Sequence, residues 1–300
     1  MEENGQVFVV VKRFRGLDRV SNYASWSVEV GELVEATSKA IKVTSNILNF
    51  EPALDMWNLL VYLYVSGSTA WIGKGFSCVC AQKRESDARV SFEMTPLQEE
   101  CLQRLQNRLE VTYDSSNLEH QETLRGLWHA AFPEIELRDL ISEQWKEMGW
   151  QGKDPSTDFR GGGFVSVENL LFFARAFPKS FQDLLQKRVG SRSLWEYPFA
   201  VAGVNITFML IQMLDLQAAK PRTLMGAVFL KLLAEDERAF DLLYCITFKL
   251  MDHIWLTMQA SYMDFNAVMK ATRRQLEREL LLEDVQRLDD MPSFRLLIRN

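Results

Sequence analysis

The chain has 300 residues and a formal net charge of −6, with 47% hydrophobic and 25% charged residues. These proportions are those of an ordinary globular protein that can bury a sizeable core. The acidic balance argues against a protein that wraps nucleic acid, because such proteins carry a surplus of positive charge. Four cysteines in the whole chain make no disulfide framework, so we expect reduced thiols and a cytoplasmic protein.

The first 94 residues carry only weak periodicity. The stretch from Glu32 to Val65 is weakly helical, and Ser66–Thr69 and Gly73–Gly75 have the composition of loops. We therefore predict a loosely structured N-terminal region over residues 1–94, partly flexible and with one or two short helices.

From Thr95 onward, one helical signal follows another. Thr95 and Gln98 have the spacing of a capping box, and Pro96 suits the first position of a helix whose apolar face runs to Leu109. Apolar periodicity and end signals predict further helices over Glu119–Ala131, Glu136–Met148, Val167–Phe177 capped by Ser166, Phe181–Arg188, Pro198–Gln217, Thr223–Glu235, Glu237–Tyr262 and Phe265–Glu283 capped by Asp264. Since no window alternates for long enough to be a strand, we predict an all-α fold: one compact domain of about eight helices over residues 95–290, followed by a C-terminal tail over residues 291–300.

Two apolar stretches raise the question of a membrane span. Leu59–Val65 has seven residues, whereas a spanning helix needs about 20. Phe199–Leu214 is longer, but polar side chains interrupt it at Asn205, Thr207 and Gln212. We therefore predict that it forms a buried helix of the protein core.

Several segments resemble enzyme or metal-binding motifs but lack residues that those motifs require. Gly75 stands where a phosphate-binding loop needs Ser or Thr. The acidic run that starts at Asp154 resembles a calcium loop, but Phe159 and Val165 occupy the positions of its glycine and its bidentate glutamate. Cys78–Cys80 has the wrong interval for a zinc site. We therefore expect no metal, no cofactor and no active site for an independent reaction.

The segment Trp150–Gly163 joins two predicted helices and is rich in residues with a positional meaning. Asp154 and Pro155 set a turn, because proline fixes φ and a preceding aspartate accepts hydrogen bonds from the backbone that follows. The large apolar side chains of Trp150 and Phe159 are expected to anchor the segment to the helices at its two ends. The remaining candidates for shaping this loop and contacting a partner are Asp158, Gly161, Gly162 and Gly163.

Arg160 lies between the anchored half of this segment and Gly161–Gly163. Glycines adopt left-handed or close-approach geometry, so we expect them to admit another protein surface beside the arginine. A guanidinium stays charged and offers five donors in a planar fork, which suits charge that develops on a phosphoryl group. The alternative is that Arg160 pairs with Asp158 or Asp154 and holds the loop together, which is the commoner role of a loop arginine.

Trp150–Gly163, together with Ser166–Leu170, resembles the signature of the ELMO-domain family. Matching blocks span about residues 119–283, and the run Ser77–Arg89 is similar to plant members of the single-domain type. The further blocks that agree are Trp145–Gly149, Phe199–Thr207, and Trp255 with Ser261–Phe265.

The resemblance implies an all-helical cytoplasmic protein that acts on small GTPases. Stand-alone members of the family are GTPase-activating proteins for Arf and Arf-like GTPases, and the essential arginine of their Asp-Phe-Arg-Gly motif matches Arg160 here. The larger multidomain members lack that activity and act as adaptors for Rac exchange factors. The resemblance therefore implies a GTPase activator that supplies Arg160 in trans, with a non-catalytic adaptor as the alternative, no cofactor, and recruitment to membranes by a lipidated GTPase.

Overall fold

The computed structural model describes residues 92–159 and 162–298. The predictions for residues 1–91, including those for Leu59–Val65 and Ser77–Arg89, lie outside the described residues, as do Arg160 and Gly161.

All of the regular structure in residues 92–159 and 162–298 is helical, which confirms the predicted all-α fold. Eight α-helices of nine residues or more form the body of the domain, together with two shorter α-helices. The α-helices are α1 (Pro96–Leu109), α2 (Leu118–Ala131), α3 (Ser156–Phe159), α4 (Val165–Ala176), α5 (Pro178–Gln186), α6 (Phe199–Met213), α7 (Leu224–Glu235), α8 (Ala239–Thr257), α9 (Phe265–Leu280) and α10 (Phe294–Ile298). Short 3₁₀ helices lie at Glu143–Met148, Tyr262–Asp264 and Leu288–Asp290.

The first two long helices, α1 and α2, begin within one residue of the predicted position and have local capping contacts. The Thr95 hydroxyl accepts a hydrogen bond from the Gln98 amide at 3.3 Å, and the Gln98 side chain accepts one from the Thr95 amide at 3.0 Å. Asn117 Oδ1 accepts from the amide of Glu119 at 2.9 Å at the start of α2. Because both partners of each contact lie within three residues, the sequence alone is enough to predict such ends.

The helix predicted over Glu136–Met148 is wrong in its first half. Only the 3₁₀ turn Glu143–Met148 forms, and it ends at Gly149 with φ +87°. The Gln144 side chain accepts a hydrogen bond from the Arg138 amide at 3.0 Å and donates one to the Glu136 carbonyl at 3.0 Å. Side chains therefore occupy backbone groups that an α-helix would need for itself.

Two predicted caps are also wrong. α4 begins at Val165, so Ser166 is buried within its first turn instead of preceding the helix. Asp264 accepts hydrogen bonds from the amide and hydroxyl of Ser261 at 2.9 and 2.8 Å and leaves the start of α9 without a side-chain cap. Asp264 thus accepts hydrogen bonds one turn before the helix, whereas the Ser166 hydroxyl has no hydrogen-bond partner among the described residues.

Several predicted helix boundaries shift by a few residues. α5 begins at Pro178, its first residue, and not at Phe181. α6 ends at Met213 and α8 at Thr257, in each case before a residue in the left-handed region (φ +54° at Asp215, φ +50° at Gln259). A residue with positive φ cannot continue a right-handed helix, which ends both helices earlier than apolar periodicity suggests.

α8 lies at the centre of the core. It packs against α4, α6, α9 and α10, and its fully buried side chains include Tyr244, Phe248, Met251 and Trp255. Most of α6 is also buried, as predicted for Phe199–Leu214. Among the described residues, no helix combines the length and the apolar composition needed to cross a bilayer.

Residues after 290, which we expected to form a C-terminal tail, pack on this core. Met291 and Leu297 are buried, and the Ser180 hydroxyl donates a hydrogen bond to the Leu297 carbonyl. The Glu279 carboxylate accepts from the amide and hydroxyl of Ser293 at 2.9 and 2.7 Å. The C-terminal helix α10 is thus fastened to α5 and α9.

Candidate functional site

The two large apolar side chains of the loop Trp150–Gly163 are both buried. Trp150 is 3% exposed and Phe159 is 1% exposed, and their rings meet edge to face with centroids 6.0 Å apart. Trp150 also meets Trp145 edge-on at 6.4 Å, and Phe159 meets Tyr113 edge-on at 5.4 Å. The first ten residues of the loop are therefore tied to the domain at both ends.

These contacts belong to a longer row of packed rings. His120 lies 4.0 Å from the Phe164 ring and accepts a hydrogen bond from the Asp114 amide at 3.0 Å. In order, the row contains Phe132, Trp128, Trp145, Trp150, Phe159, Tyr113, His120 and Phe164. Rings in edge and tilted contact stabilise each other beyond their burial, so the row gives the loop a stiff base.

Asp154 and Pro155 begin the one-turn helix α3. Asp154 Oδ1 accepts hydrogen bonds from the amide and the hydroxyl of Ser156 at 3.0 and 2.7 Å. The Thr157 hydroxyl donates to the Asp154 carbonyl at 2.8 Å, and Pro155 is buried. The turn predicted at these residues is thus the start of a helical turn that ends at Phe159.

Asp158 closes the loop on itself. Its Oδ2 accepts a hydrogen bond from the Gln151 amide at 2.7 Å, which joins the two ends of the eight-residue stretch from Gln151 to Asp158. Burial raises the pKa of this carboxyl to about 6, and the nearby charge of Asp154 acts in the same direction, while the Gln151 amide opposes them. The Lys153 carbonyl accepts from the Ser142 amide at 2.9 Å and fixes the outer side of the loop.

The described glycines at the end of the loop pack against the protein's own helices. A Cβ on Gly162 would overlap the Ser166 hydroxyl and lie 3.2 Å from Val204 Cγ1 on α6. Gly163 has φ +75°, and a Cβ there would lie 3.3 Å from the Leu109 carbonyl. At these two positions, the missing side chain gives room to α4, α6 and the end of α1. That Gly161–Gly163 admit a partner surface stays a prediction.

Arg160 and Gly161 themselves lie outside the described residues, but the chain on either side of them is fixed. Phe159 is buried, and its carbonyl accepts a hydrogen bond from the Gly162 amide at 3.1 Å. One oxygen of Asp154 and one of Asp158 already have hydrogen-bond donors within the loop. Pairing of Arg160 with either carboxylate stays a prediction.

Comparison with models of known protein families identifies the family of this domain. The model described as the ELMO/CED-12 family matches residues 103–269, which include the loop and most of the core helices. The chain belongs to the ELMO/CED-12 family. This confirms the resemblance that Trp150–Gly163 and the other blocks indicated.

The alignments with individual ELMO domain-containing proteins cover only part of each of those proteins. The chain is 32% identical over 185 residues to ELMO domain-containing protein A of Dictyostelium discoideum, which covers 56% of this chain and 19% of that protein. It is 30% identical over 167 residues to ELMO domain-containing protein B of the same organism (55% of each). It is 38% identical over 108 residues to ELMO domain-containing protein 2 of Homo sapiens (36% of each). The matched part of the chain thus spans from about a fifth to about half of these relatives.

One cluster of charged and polar residues was missed by the sequence analysis. Arg108 on α1 forms two hydrogen bonds to Asp241 on α8, at 2.8 and 2.7 Å, and one to Glu168 on α4 at 2.8 Å. Asn169 Nδ2 donates to Asp241 Oδ1 at 2.9 Å, and the Thr207 hydroxyl on α6 donates to Asn169 Oδ1 at 3.1 Å. We call these five residues the Arg108 network. Buried polar side chains need hydrogen-bond partners. Polar residues such as Asn169 and Asp241 within apolar helices could therefore have indicated such a network.

The described residues offer no obvious place for a metal ion. Within residues 92–159 and 162–298, no three His, Cys, Asp or Glu side chains converge as ligands of a metal would.

Proposed function

We propose that the chain is a GTPase-activating protein for small GTPases of the Arf family, Arf or Arf-like, and that it supplies Arg160 in trans. Membership of the ELMO/CED-12 family supports a role of this kind. The structural observation that carries the proposal is the fixed chain on both sides of position 160, where Phe159 is buried and bonded to the Gly162 amide. A catalytic group is effective when its approach is pre-organised.

The proposed role of Arg160 is to stabilise negative charge in the transition state of GTP hydrolysis. The GTPase brings the nucleotide, the magnesium ion and the residue that orients the attacking water. In the transition state, negative charge spreads over the γ-phosphate oxygens and the leaving oxygen, and a guanidinium that enters the site stabilises it. An arginine supplied in this way accelerates hydrolysis by about 10³–10⁵-fold. The activator needs no cofactor of its own.

The rest of the loop serves to deliver that arginine. Asp158 holds the Gln151 amide and Asp154 holds the start of α3, so the loop keeps its shape when no partner is bound. Trp150 and Phe159 belong to the row of packed rings on which the loop rests. In this proposal the protein is cytoplasmic and meets a lipidated GTPase at a membrane surface.

The proposal is tested by single-turnover GTP hydrolysis with a panel of Arf and Arf-like GTPases. The wild-type chain should accelerate hydrolysis by at least one of them. Arg160→Lys should remove that acceleration by a factor of about 10³ or more, because an ammonium cannot present a planar fork to two oxygens. Arg138→Lys is the matched control: Arg138 is exposed on the segment whose Ser142 amide is bonded to the loop, and its substitution should leave the rate unchanged.

Binding measurements separate this function from its alternative. If wild type and Arg160→Lys bind a GTPase equally and neither accelerates hydrolysis, the chain is an adaptor of the kind that works with an exchange factor for Rac-type GTPases. If the chain neither binds nor accelerates any small GTPase tested, both functions are wrong. Only loss of acceleration in Arg160→Lys, with binding and folding retained, supports catalysis by Arg160.

A further inference from the structure

Tyr113 lies in the connection between α1 and α2 and contacts the loop Trp150–Gly163 near its end. The Tyr113 ring meets the Phe159 ring edge to face with centroids 5.4 Å apart, and its centroid lies 6.0 Å from that of the Phe164 ring. Phe159 directly precedes position 160, and Phe164 is the first residue after the loop. One side chain therefore contacts the chain on both sides of residues 160–163.

The backbone around Tyr113 is fastened to the same end of the loop. On one side, the Val111 carbonyl accepts a hydrogen bond from the Phe164 amide at 3.2 Å. On the other side, the Asp114 amide donates to His120 Nδ1 at 3.0 Å, and the His120 ring lies 4.0 Å from the Phe164 ring. Both contacts lead to Phe164, one directly and one through His120, so the position of the Tyr113 ring is set together with that of the loop end.

The ring of Tyr113, and not its hydroxyl, makes the contacts with the loop. The side chain is half-buried, and within residues 92–159 and 162–298 its hydroxyl has no hydrogen-bond partner. Burial raises the pKa of the hydroxyl, and the charges of Asp154 and Asp114 act in the same direction, so it stays neutral at pH 7. A phenylalanine at this position would therefore preserve the ring contacts with Phe159 and Phe164.

The chain between these two phenylalanines depends on its flanks for a fixed shape. Three of the residues 160–163 are glycines, and glycine loses more conformational freedom on folding than any other residue. The Gly162 amide donates to the Phe159 carbonyl at 3.1 Å, and Gly163 has φ +75°. Because Tyr113 contacts both flanks, its ring limits how far the two ends can move relative to each other.

We propose that Tyr113 is the positioning residue of the site: its ring holds Phe159 and Phe164 in a fixed arrangement, and so sets the geometry from which Arg160 approaches the GTPase. The catalytic part of this inference rests on the proposed function, because it supposes that Arg160 acts in hydrolysis. A catalytic group is most effective when it is held near its productive geometry before it acts. The structural part, that the Tyr113 ring fixes the end of the loop, needs no GTPase.

The structural part is tested by amide hydrogen exchange of the full 300-residue chain without a partner. The amides to follow are those of Gly162 and Phe164, which are both hydrogen-bonded. They should exchange at least about tenfold faster in Tyr113→Ala than in wild type, because the variant loses both ring contacts and the loop end opens more often. Tyr113→Phe should exchange like wild type.

The catalytic part is tested by single-turnover GTP hydrolysis at increasing concentrations of the chain, with a GTPase that the wild type activates. Tyr113→Ala should lower the maximal rate by roughly 10- to 100-fold, because a misplaced catalytic group loses that much. The concentration that gives half of the maximal rate should stay close to the wild-type value, since the surface that meets the GTPase is kept. Tyr113→Phe should restore the wild-type rate.

Phe265→Ala is the matched control for the loss of a half-buried ring. Phe265 lies at the start of α9, and its ring is 6.5 Å from the Trp255 ring, in a pair outside the row that supports the loop. This variant should lose stability, yet keep wild-type exchange at Gly162 and Phe164 and a wild-type maximal rate. If Tyr113→Ala does not fold, Tyr113→Leu takes its place, because leucine keeps apolar volume but has no planar ring.

Several results would overturn the proposal. Wild-type exchange of both amides in Tyr113→Ala would mean that the ring holds nothing, and faster exchange with an unchanged maximal rate would mean that the fixed shape does not matter to hydrolysis. Equal losses in Tyr113→Phe and Tyr113→Ala would assign the effect to the hydroxyl. A higher half-maximal concentration with an unchanged maximal rate would make Tyr113 a contact with the GTPase.

Failure of the proposed function gives a different result. If the wild-type chain activates no GTPase, the proposed function and the catalytic part of this inference are both wrong. The exchange of the Gly162 and Phe164 amides then decides the structural part alone, because it is measured without a GTPase.

Discussion

The Arg108 network and the loop Trp150–Gly163 both contain charged residues within the part of the chain that the family model matches, yet they use them differently. In the network, Arg108 and Asp241 satisfy each other across two helices. In the loop, Asp154 and Asp158 accept hydrogen bonds from amides and hydroxyls of the loop itself. The matched part of the chain therefore contains charged residues that build the core and charged residues that shape a site, and only their partners in the structure distinguish the two.

The network joins four helices that are distant in sequence. Arg108 lies on α1, Glu168 and Asn169 on α4, Thr207 on α6 and Asp241 on α8. Its partners are separated by as many as 133 residues. The charges of the network are therefore committed to the fold, whereas those of the loop hold a short stretch of surface chain in a fixed shape.

The largest effect expected from this comparison is that of Arg108→Ala. Asp241 is 6% exposed, so removal of Arg108 leaves a buried carboxylate without its main partner. Breaking one side of a buried pair costs about 3–5 kcal/mol. The free energy of unfolding, measured with urea, should fall by about that amount.

Arg104→Ala provides the control for this substitution. Arg104 lies one turn earlier on α1, and its ion pair with Glu237 has an N–O distance of 3.7 Å with both side chains largely exposed. Its removal should leave stability nearly unchanged, because exposed pairs are weak. If the two alanine variants lose the same amount of stability, the distinction between network and surface charge is wrong.

A smaller effect is expected where the loop meets the core at Gly162. Gly162→Ala should lower the free energy of unfolding by about 1–3 kcal/mol, because its Cβ overlaps the Ser166 hydroxyl and crowds Val204. The Ser166 hydroxyl is buried and has no hydrogen-bond partner among the described residues. Ser166→Ala alone should therefore cost little, and the double variant should regain most of the stability lost by Gly162→Ala.

The double-variant comparison sharpens the assignment of Gly162 to packing. Urea unfolding of wild type, both single variants and the double variant gives the coupling between the two sites. Stability losses that simply add would mean that Gly162 and Ser166 do not compete for the same space. In that case, the glycine would have another role in the loop.

Local patterns predicted most of the fold, and long-range contacts account for what they missed. The capping box at Thr95 needs only residues within one turn, and apolar periodicity marks the buried faces of α6 and α8. The segment Glu136–Ser142 has a helical pattern, but Gln144 takes its backbone groups. Nothing near Asp241 in the sequence indicates that its partner lies on α1.

For the loop Trp150–Gly163, too, the sequence predicted the local features but not the contacts between them. Its large side chains are the kind that bury, and Trp150 and Phe159 do so. The sequence could not show that these two rings touch each other or that Gly162 faces Ser166, because both contacts depend on the path that the loop takes between the helices. The role of Arg160 is still a prediction, because it depends on a second protein.

The smallest expected effect concerns Asp158 and depends on pH. Burial raises the pKa of its carboxyl from 3.8 to about 6 in the folded protein. Between these two pH values, the folded protein therefore keeps a proton on Asp158 that the unfolded chain has released. Its contribution to stability is therefore complete below about pH 3.8 and is lost as the pH rises through about 6. Asp158→Asn stays neutral and can still accept from the Gln151 amide.

Relative to wild type, Asp158→Asn should consequently gain stability between pH 4 and pH 7, by on the order of 1 kcal/mol. Urea unfolding of both proteins across this range measures the difference. Asp114→Asn is the control, because hydrogen bonds from Ser116 lower the pKa of Asp114 and it should show no such gain. A wild-type-like pH dependence in Asp158→Asn would mean that the carboxylate is well solvated, and its role in holding the loop would then rest on the Gln151 hydrogen bond alone.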